Sequence, residues 1–314
     1  MRRGFHAPLS FFIRNLSMTP LSSSFESLTG VPEIVAYVFV FVFGAIVGSF
    51  LNVVIHRVPN EESIVFPNSA CPNCKTAIKA YDNIPVLSWL MLRGKCRGCG
   101  MPISPRYPAV ELLTAFLYLL VYWHTGLTPV LPVYLAFVSA MVALIFIDAE
   151  HMILPNVITY PLLALALLVR VTFPAVFAEN YFSDTTFAPA IYLVGNPDWL
   201  VSLFGAVVGA LVGGGSLWLV GAVWKKLRGV DAMGMGDVKM MLGVGALLGW
   251  RLAFLSIFLG AFAGALIGIA VIAKQKDKDL QTQIPFGIFL GTGSILSLLF
   301  GEQLISWYIR TFVP

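Results

Sequence analysis

The sequence predicts an all-α polytopic membrane protein of about eight transmembrane helices, with a small zinc-bound cytoplasmic domain between the first two spans. Three observations predict it. Of the 314 residues, 58% are hydrophobic and only 11% charged, and the mean hydropathy of +0.84 lies far outside the range of soluble globular domains. Apolar runs of the length a bilayer requires recur from Glu33 to the end of the chain. One polar segment interrupts them, and it carries all four cysteines.

The apolar runs fall at 34–56, 109–125, 128–148, 157–178, 199–224, 238–250, 252–273 and 285–309. The sixth is short and rich in glycine. Residues 1–33 hold Arg2, Arg3 and Arg14 without a long apolar run and cleavage site, so they read as an unassigned N-terminal extension and not as a signal peptide. The remaining divisions are a first span at 34–56, a cytoplasmic zinc-binding loop domain at 57–108, and a membrane domain at 109–314.

Charge sets the orientation. The 57–108 loop carries Arg57, Lys75, Lys79, Arg93, Lys95, Arg97 and Arg106, the mark of a cytoplasmic segment. Alternation then places Asp148, the Lys225, Lys226 and Arg228 cluster, and Lys274, Lys276 and Lys278 on the same side, while acidic 179–198 falls outside. The arginines of the N-terminus run against this pattern. A net charge of only +4, confined to loops, points to membrane orientation and to no nucleic-acid partner.

Within the spans, Gly44/Gly48, Gly205/Gly209/Gly213 and Gly260/Gly264/Gly268 recur every four residues, as close packing of helix backbones demands. Arg170 lies inside the fourth span, where its long stem is expected to snorkel to the outer interface. No internal repeat is evident.

Cys71-Pro-Asn-Cys74 and Cys96-Arg-Gly-Cys99 form two short chelates separated by 21 residues. A reducing compartment disfavours disulfides, and four thiolates satisfy tetrahedral Zn²⁺ without leaving an open position. The predicted zinc is therefore structural, and its binding supplies folding free energy to a loop with little core of its own.

Asp148 ends the third span and Asp237 opens the sixth, both at the predicted cytoplasmic border. Carboxylates so close to hydrocarbon are expensive and usually functional. Two adjacent carboxyl groups do not readily both ionise, so a pair shares one proton. One member then acts as general base on water while the protonated member hydrogen-bonds to a scissile carbonyl. Gly234 and Gly236 precede Asp237 and leave its backbone bare for an extended substrate strand. Glu150 and His151 read as solvated loop residues. The alternative from another class is a proton- or ion-coupled transporter using paired carboxylates, although here the pair lies at one border and not at the midplane.

These residues resemble the type 4 prepilin peptidases, bifunctional leader peptidases and N-methyltransferases of bacterial inner membranes. The match runs from about Val42 to Leu290 through Gly48-Ser-Phe-Leu-Asn-Val-Val-Ile-His-Arg57, both cysteine pairs, Tyr81-Asp-Asn-Ile-Pro-Val-Leu-Ser-Trp89, Arg106-Tyr-Pro108 with Glu111, the Asp148 segment, Gly234-Met-Gly-Asp237 and Pro285-Phe-Gly287. The resemblance implies that Asp148 and Asp237 are the catalytic aspartates of an intramembrane aspartic protease. It implies type IV prepilins and type II secretion pseudopilins as substrates, cleaved after a basic leader between Gly and Phe. It further implies methylation of the new N-terminus with S-adenosylmethionine as donor, an activity associated with the cysteine-bearing loop.

Overall fold

The computed structural model describes residues 25–71, 73–174, 197–230, 233–274 and 285–312. Among these the fold is helical, with two isolated β-bridges and no strand. A short helix α1 (Phe25–Thr29) precedes α2 (Glu33–Arg57). The loop domain contributes a 3₁₀ turn, Ala80–Asp82, and α3 (Leu87–Met91). The bundle continues through α4 (Arg106–Thr125), α5 (Leu131–His151) and α6 (Asn156–Thr172). It ends with α7 (Asp198–Ala210), α8 (Ser216–Arg228), α9 (Met235–Leu248), α10 (Trp250–Lys274) and α11 (Phe286–Phe312).

Local chemistry sets the boundaries. Proline at the second position of α5 and the third of α4 costs no hydrogen bond, because those amides have no partner in a helix. Gly126, Gly229 and Gly249 end α4, α8 and α9 at positive φ. Gly249 alone joins α9 to α10. Met152 takes the left-handed conformation and donates its N–H to the Asp148 carbonyl, closing α5 four residues before Asn156 opens α6.

Among the described residues five helical stretches, and not the eight expected, are long and apolar enough to cross a membrane: α2, α5, the continuous α7–α8 unit, α10 and α11. Between them pack α4, α6 and α9. Close approach of backbones holds the assembly together. A Cβ on Gly48 would stand 2.7 Å from the Glu111 Cα, and one on Gly44 2.8 Å from the Ala115 Cα, so α2 and α4 lie nearly in backbone contact. Gly209 meets the Gly245 carbonyl across α7 and α9, and Gly293 meets Ser256 across α11 and α10. The recurrent glycines are thus intramolecular packing residues, as their spacing predicts.

The core is centred on α5 and α9, where Phe137, Met141, Leu144, Ile147, Met240 and Met241 are fully buried with Leu290 of α11. At 14 residues, α9 is about 21 Å long, well short of a hydrocarbon core of about 30 Å. Its C-terminal carbonyls therefore end inside the molecule, and Arg170 meets them. Arg170 is 2% exposed and donates from Nε to the Ala246 carbonyl (3.1 Å) and from a terminal nitrogen to the Leu247 carbonyl (2.9 Å). The expected snorkelling does not occur, because capping orphan carbonyls in an apolar surround offers the charge better solvation than a distant interface.

The predicted outer segment 179–198 lies outside the described residues except at its end, as do Lys276 and Lys278 and the arginines of the N-terminus.

Candidate active site and metal centre

Asp148 sits in the last turn of α5 and Asp237 at the third position of α9. Helix ends supply the geometry. The α5 chain must turn at Met152 and the α9 chain begins at Gly234, so both carboxyl groups emerge where backbones open. Both are buried, at 5% and 8% exposure, and Leu154 bridges their surroundings, touching both Gly236 beside Asp237 and Gly287 beside Asp148. The sequence reading placed the two at one border from different spans, and the fold brings them together.

A third element completes the site. The α11 N-terminus aims its amides at Asp148, and Ile288 N–H donates to Asp148 Oδ2 at 3.2 Å. A Cβ on Gly287 would stand 2.8 Å from the same oxygen, so only glycine lets α11 come this near. Leu154 lies between the glycines of both motifs. Its Cβ would be 2.8 Å from a Cβ on Gly236, and its Cδ1 3.1 Å from one on Gly287. Asp237 Oδ1 is buried and has no hydrogen-bond partner among the described residues. An oxygen of this kind is costly to leave unmatched, and active sites are where such costs are found.

Gly287, Ile288 and Leu154 escaped the sequence reading as site residues. Pro285-Phe-Gly287 was visible as a motif, but its contact with Asp148 spans 140 residues of chain. Nor are Glu150 and His151 loop residues: they belong to the last turn of α5, and Glu150 pairs with Arg106 at the start of α4. At the opening of α9, Lys239 donates from Nζ to Asn156 Oδ1 at 2.9 Å and lies over the Tyr160 ring. This contact ties the first turns of α6 and α9 together.

The four cysteines converge as their spacing predicts. All four sulfurs lie within 4.8 Å of one another, with Cys71 to Cys99 at 3.8 Å and Cys74 to Cys96 at 3.9 Å. A tetrahedron of ligands at about 2.3 Å from zinc has edges of about 3.8 Å, whereas a disulfide needs about 2.05 Å. The donor set and its spacing fit Zn²⁺. The Cys74 thiol is lowered to about 6, chiefly by hydrogen bonding to Thr76, which favours the thiolate that a metal requires.

The two knuckles repeat one another, a relation that their side chains conceal. Cys71 N–H bonds the Thr76 carbonyl as Cys96 N–H bonds that of Met101. Lys75 donates to Cys71 as Gly100 does to Cys96, Ile78 donates to Ser69 as Ile103 does to Gly94, and each knuckle closes with one bridge. Lys75 and Gly100, equivalent in the two copies, both take positive φ. Around them, Arg97 shares its single Nε–H between the two oxygens of Asp82 and donates from a terminal nitrogen to Oδ1, and the guanidinium holds that carboxyl below the usual range. Arg57 donates to the Ser63 and Pro67 carbonyls, fastening the loop to the end of α2.

Comparison with known proteins accords with these features. The family described as "Bacterial Peptidase A24 N-terminal domain" matches residues 42–125, and the "Type IV leader peptidase family" matches 135–269. The chain is 36% identical to a prepilin leader peptidase/N-methyltransferase of Aeromonas hydrophila, over 87% of this chain and 94% of that protein. It is 36% identical to one of Pseudomonas aeruginosa (85% and 91%), and 40% identical to one of Myxococcus xanthus (78% and 66%). No solved structure matches the chain. From both family matches and from relatives aligned along most of their length, this multi-pass bacterial membrane protein belongs to the type IV leader peptidase family.

Proposed function

We propose that this chain is an aspartic endopeptidase that removes the basic leader of type IV prepilins and type II secretion pseudopilins, between Gly and Phe, and then N-methylates the exposed residue. Membership of a family whose relatives are named for both activities supports the reading, and nothing supports the transporter alternative. The observation that carries it is the convergence of Asp148 and Asp237, both buried, on the Leu154 side chain at the junction of α5, α9 and α11.

In this reading the Ile288 amide fixes one oxygen of Asp148, and the unmatched oxygen of Asp237 faces the reacting groups. With one proton shared, the ionised carboxylate takes a proton from water as the water oxygen adds to the peptide carbonyl carbon. The protonated carboxyl stabilises the oxyanion by hydrogen bonding, and a proton passes to the departing amine as the C–N bond breaks. Gly234, without a side chain, leaves room for an extended substrate strand beside Asp237, while the bare backbone of Gly236 admits Leu154 into the site.

The inner membrane, with the site toward the cytoplasm, suits a basic leader that stays inside while its apolar helix occupies the bilayer. Cys71, Cys74, Cys96 and Cys99 would hold structural Zn²⁺, which folds the loop domain. S-adenosylmethionine is the proposed methyl donor, in keeping with the relatives' names.

The test is mass spectrometry of a co-expressed prepilin. Wild-type protein should yield a shortened, methylated N-terminus, while Asp148→Asn and Asp237→Asn should each leave the leader attached at unchanged expression. Normal cleavage by either variant would refute the assignment.

A further inference from the structure

The loop domain has a face that its own fold leaves uncovered. In residues 84–91, Ile84 is 45% exposed, Leu87 57%, Leu90 58% and Met91 78%. The opposite face of the same short helix is committed. Ser88 is buried and its Oγ donates to the Tyr81 carbonyl, while Trp89 Nε1 donates to that of Ile103. The segment is therefore amphipathic, with its polar anchors turned into the knuckle domain and its apolar side chains turned away.

What fixes that orientation is a strained turn. Val86 has φ +61° and ψ −50°, and Leu87 N–H donates to the Pro85 carbonyl at 2.6 Å, forming a γ-turn centred on a β-branched residue. Positive φ at a β-branched residue is rare and costs free energy, so its surroundings must impose it. The restraint is visible. Val86 N–H donates at 2.7 Å to Oε2 of Glu111, a buried carboxylate of α4.

Glu111 also sets the depth. It is five residues beyond the start of α4 at Arg106, or about 7.5 Å along the axis. It packs level with Gly48, nine residues or about 13.5 Å before the end of the spanning helix α2 at Arg57. The Val86 amide is thus held beside α2 and α4 inside the span of both helices and not beyond their ends. Arg93 and Lys95 follow directly, exposed and suited to anionic headgroups.

We propose that the 84–91 segment is an interfacial anchor, docked on the leaflet that borders the active site with Leu87, Leu90 and Met91 among the acyl chains. Segments of this kind bury their apolar face about 5–10 Å into the headgroup and acyl boundary. The occupant is lipid because the tether, Glu111, packs directly on the spanning helix α2, so the exposed apolar residues sit beside a membrane-crossing helix and not on a free-standing domain. The proposal rests on the membrane reading and not on the peptidase chemistry.

Power-saturation electron paramagnetic resonance on the full chain in phosphatidylethanolamine and phosphatidylglycerol vesicles tests this. A nitroxide is introduced at Leu90, and separately at Lys75 of the first knuckle, through a genetically encoded keto side chain that leaves the cysteines untouched. The expected result, without substrate, is an oxygen to nickel-chelate collision ratio severalfold higher at Leu90 than at Lys75. Equal ratios would overturn the proposal. So would a high ratio at Leu90 that arises only after a prepilin is added, since the face would then belong to the substrate.

Discussion

At the scale of single residues, the site depends on one atom that is absent. Gly287 brings the α11 amides to Asp148, and any Cβ there would sit 2.8 Å from the carboxylate oxygen. The intruding methyl must push either α11 or the carboxylate by several tenths of an ångström. Misplacement by about 1 Å at a reacting centre costs on the order of a hundredfold in rate. Gly287→Ala should therefore lower prepilin cleavage by roughly ten- to a hundredfold with the protein still membrane-inserted. Measured initial rates on purified protein check this. Wild-type rates would mean that Ile288 does not orient Asp148.

Among the elements, α9 and the knuckle domain each depend on a contact supplied from outside. The α9 helix is too short to carry its C-terminal carbonyls to water, and Arg170 of α6 takes two of them. Arg170→Met keeps most of the apolar stem and removes the donors. Hydrogen bonds to a charged group contribute roughly 1.5–3 kcal/mol each, so a clear fall in melting temperature in detergent should follow. Arg170→Lys, with fewer donors in a less suitable shape, should restore only part of it.

The knuckle domain would depend likewise on the proposed zinc. Elemental analysis of purified protein should give one zinc per chain, falling well below that in Cys96→Ser. The Cys96→Ser loop should become protease-sensitive, because two chelates without a shared ion have no common core. A metal-free preparation with a protected loop would remove zinc from the account. Loss of methylation in that variant would link the loop to the second reaction, and full methylation would separate them.

For the whole molecule, the two aspartates meet because helices on either side of them approach to backbone contact. A π-turn at Leu211–Gly215 joins α7 to α8, and its glycines press the chain against the first turns of α9, beside Asp237. Turns of this kind concentrate at functional sites because they shift a helix face without ending the helix. One turn further, Gly209 abuts the Gly245 carbonyl. Gly209→Leu would drive α7 off α9, at a cost of about 1–3 kcal/mol or more for overpacking. It should lower both thermal stability and cleavage rate, although position 209 lies far along the chain from either aspartate. Unchanged values for both would show that the α7–α9 contact is not needed to hold α9.

How much of this was legible in the sequence differs by residue type. Asp148, Asp237 and the four cysteines announced themselves, since a carboxylate at a hydrocarbon border and a paired Cys-x-x-Cys spacing are improbable without a role. The helical, membrane-bound class followed from hydropathy, whereas five stretches of the described residues, and not eight, are long and apolar enough to cross a bilayer. The sequence by itself thus determined the class of fold and the family, both of which depend on local composition and short spacing. Only the tertiary structure decided that α11 aims its amides at Asp148, that Arg170 turns inward to cap α9, that Glu150 pairs with Arg106, and that Glu111 restrains Val86. Each of those contacts joins groups 25 to 140 positions apart in the chain, and which partner a buried donor finds depends on how the helices pack and not on its neighbours in sequence.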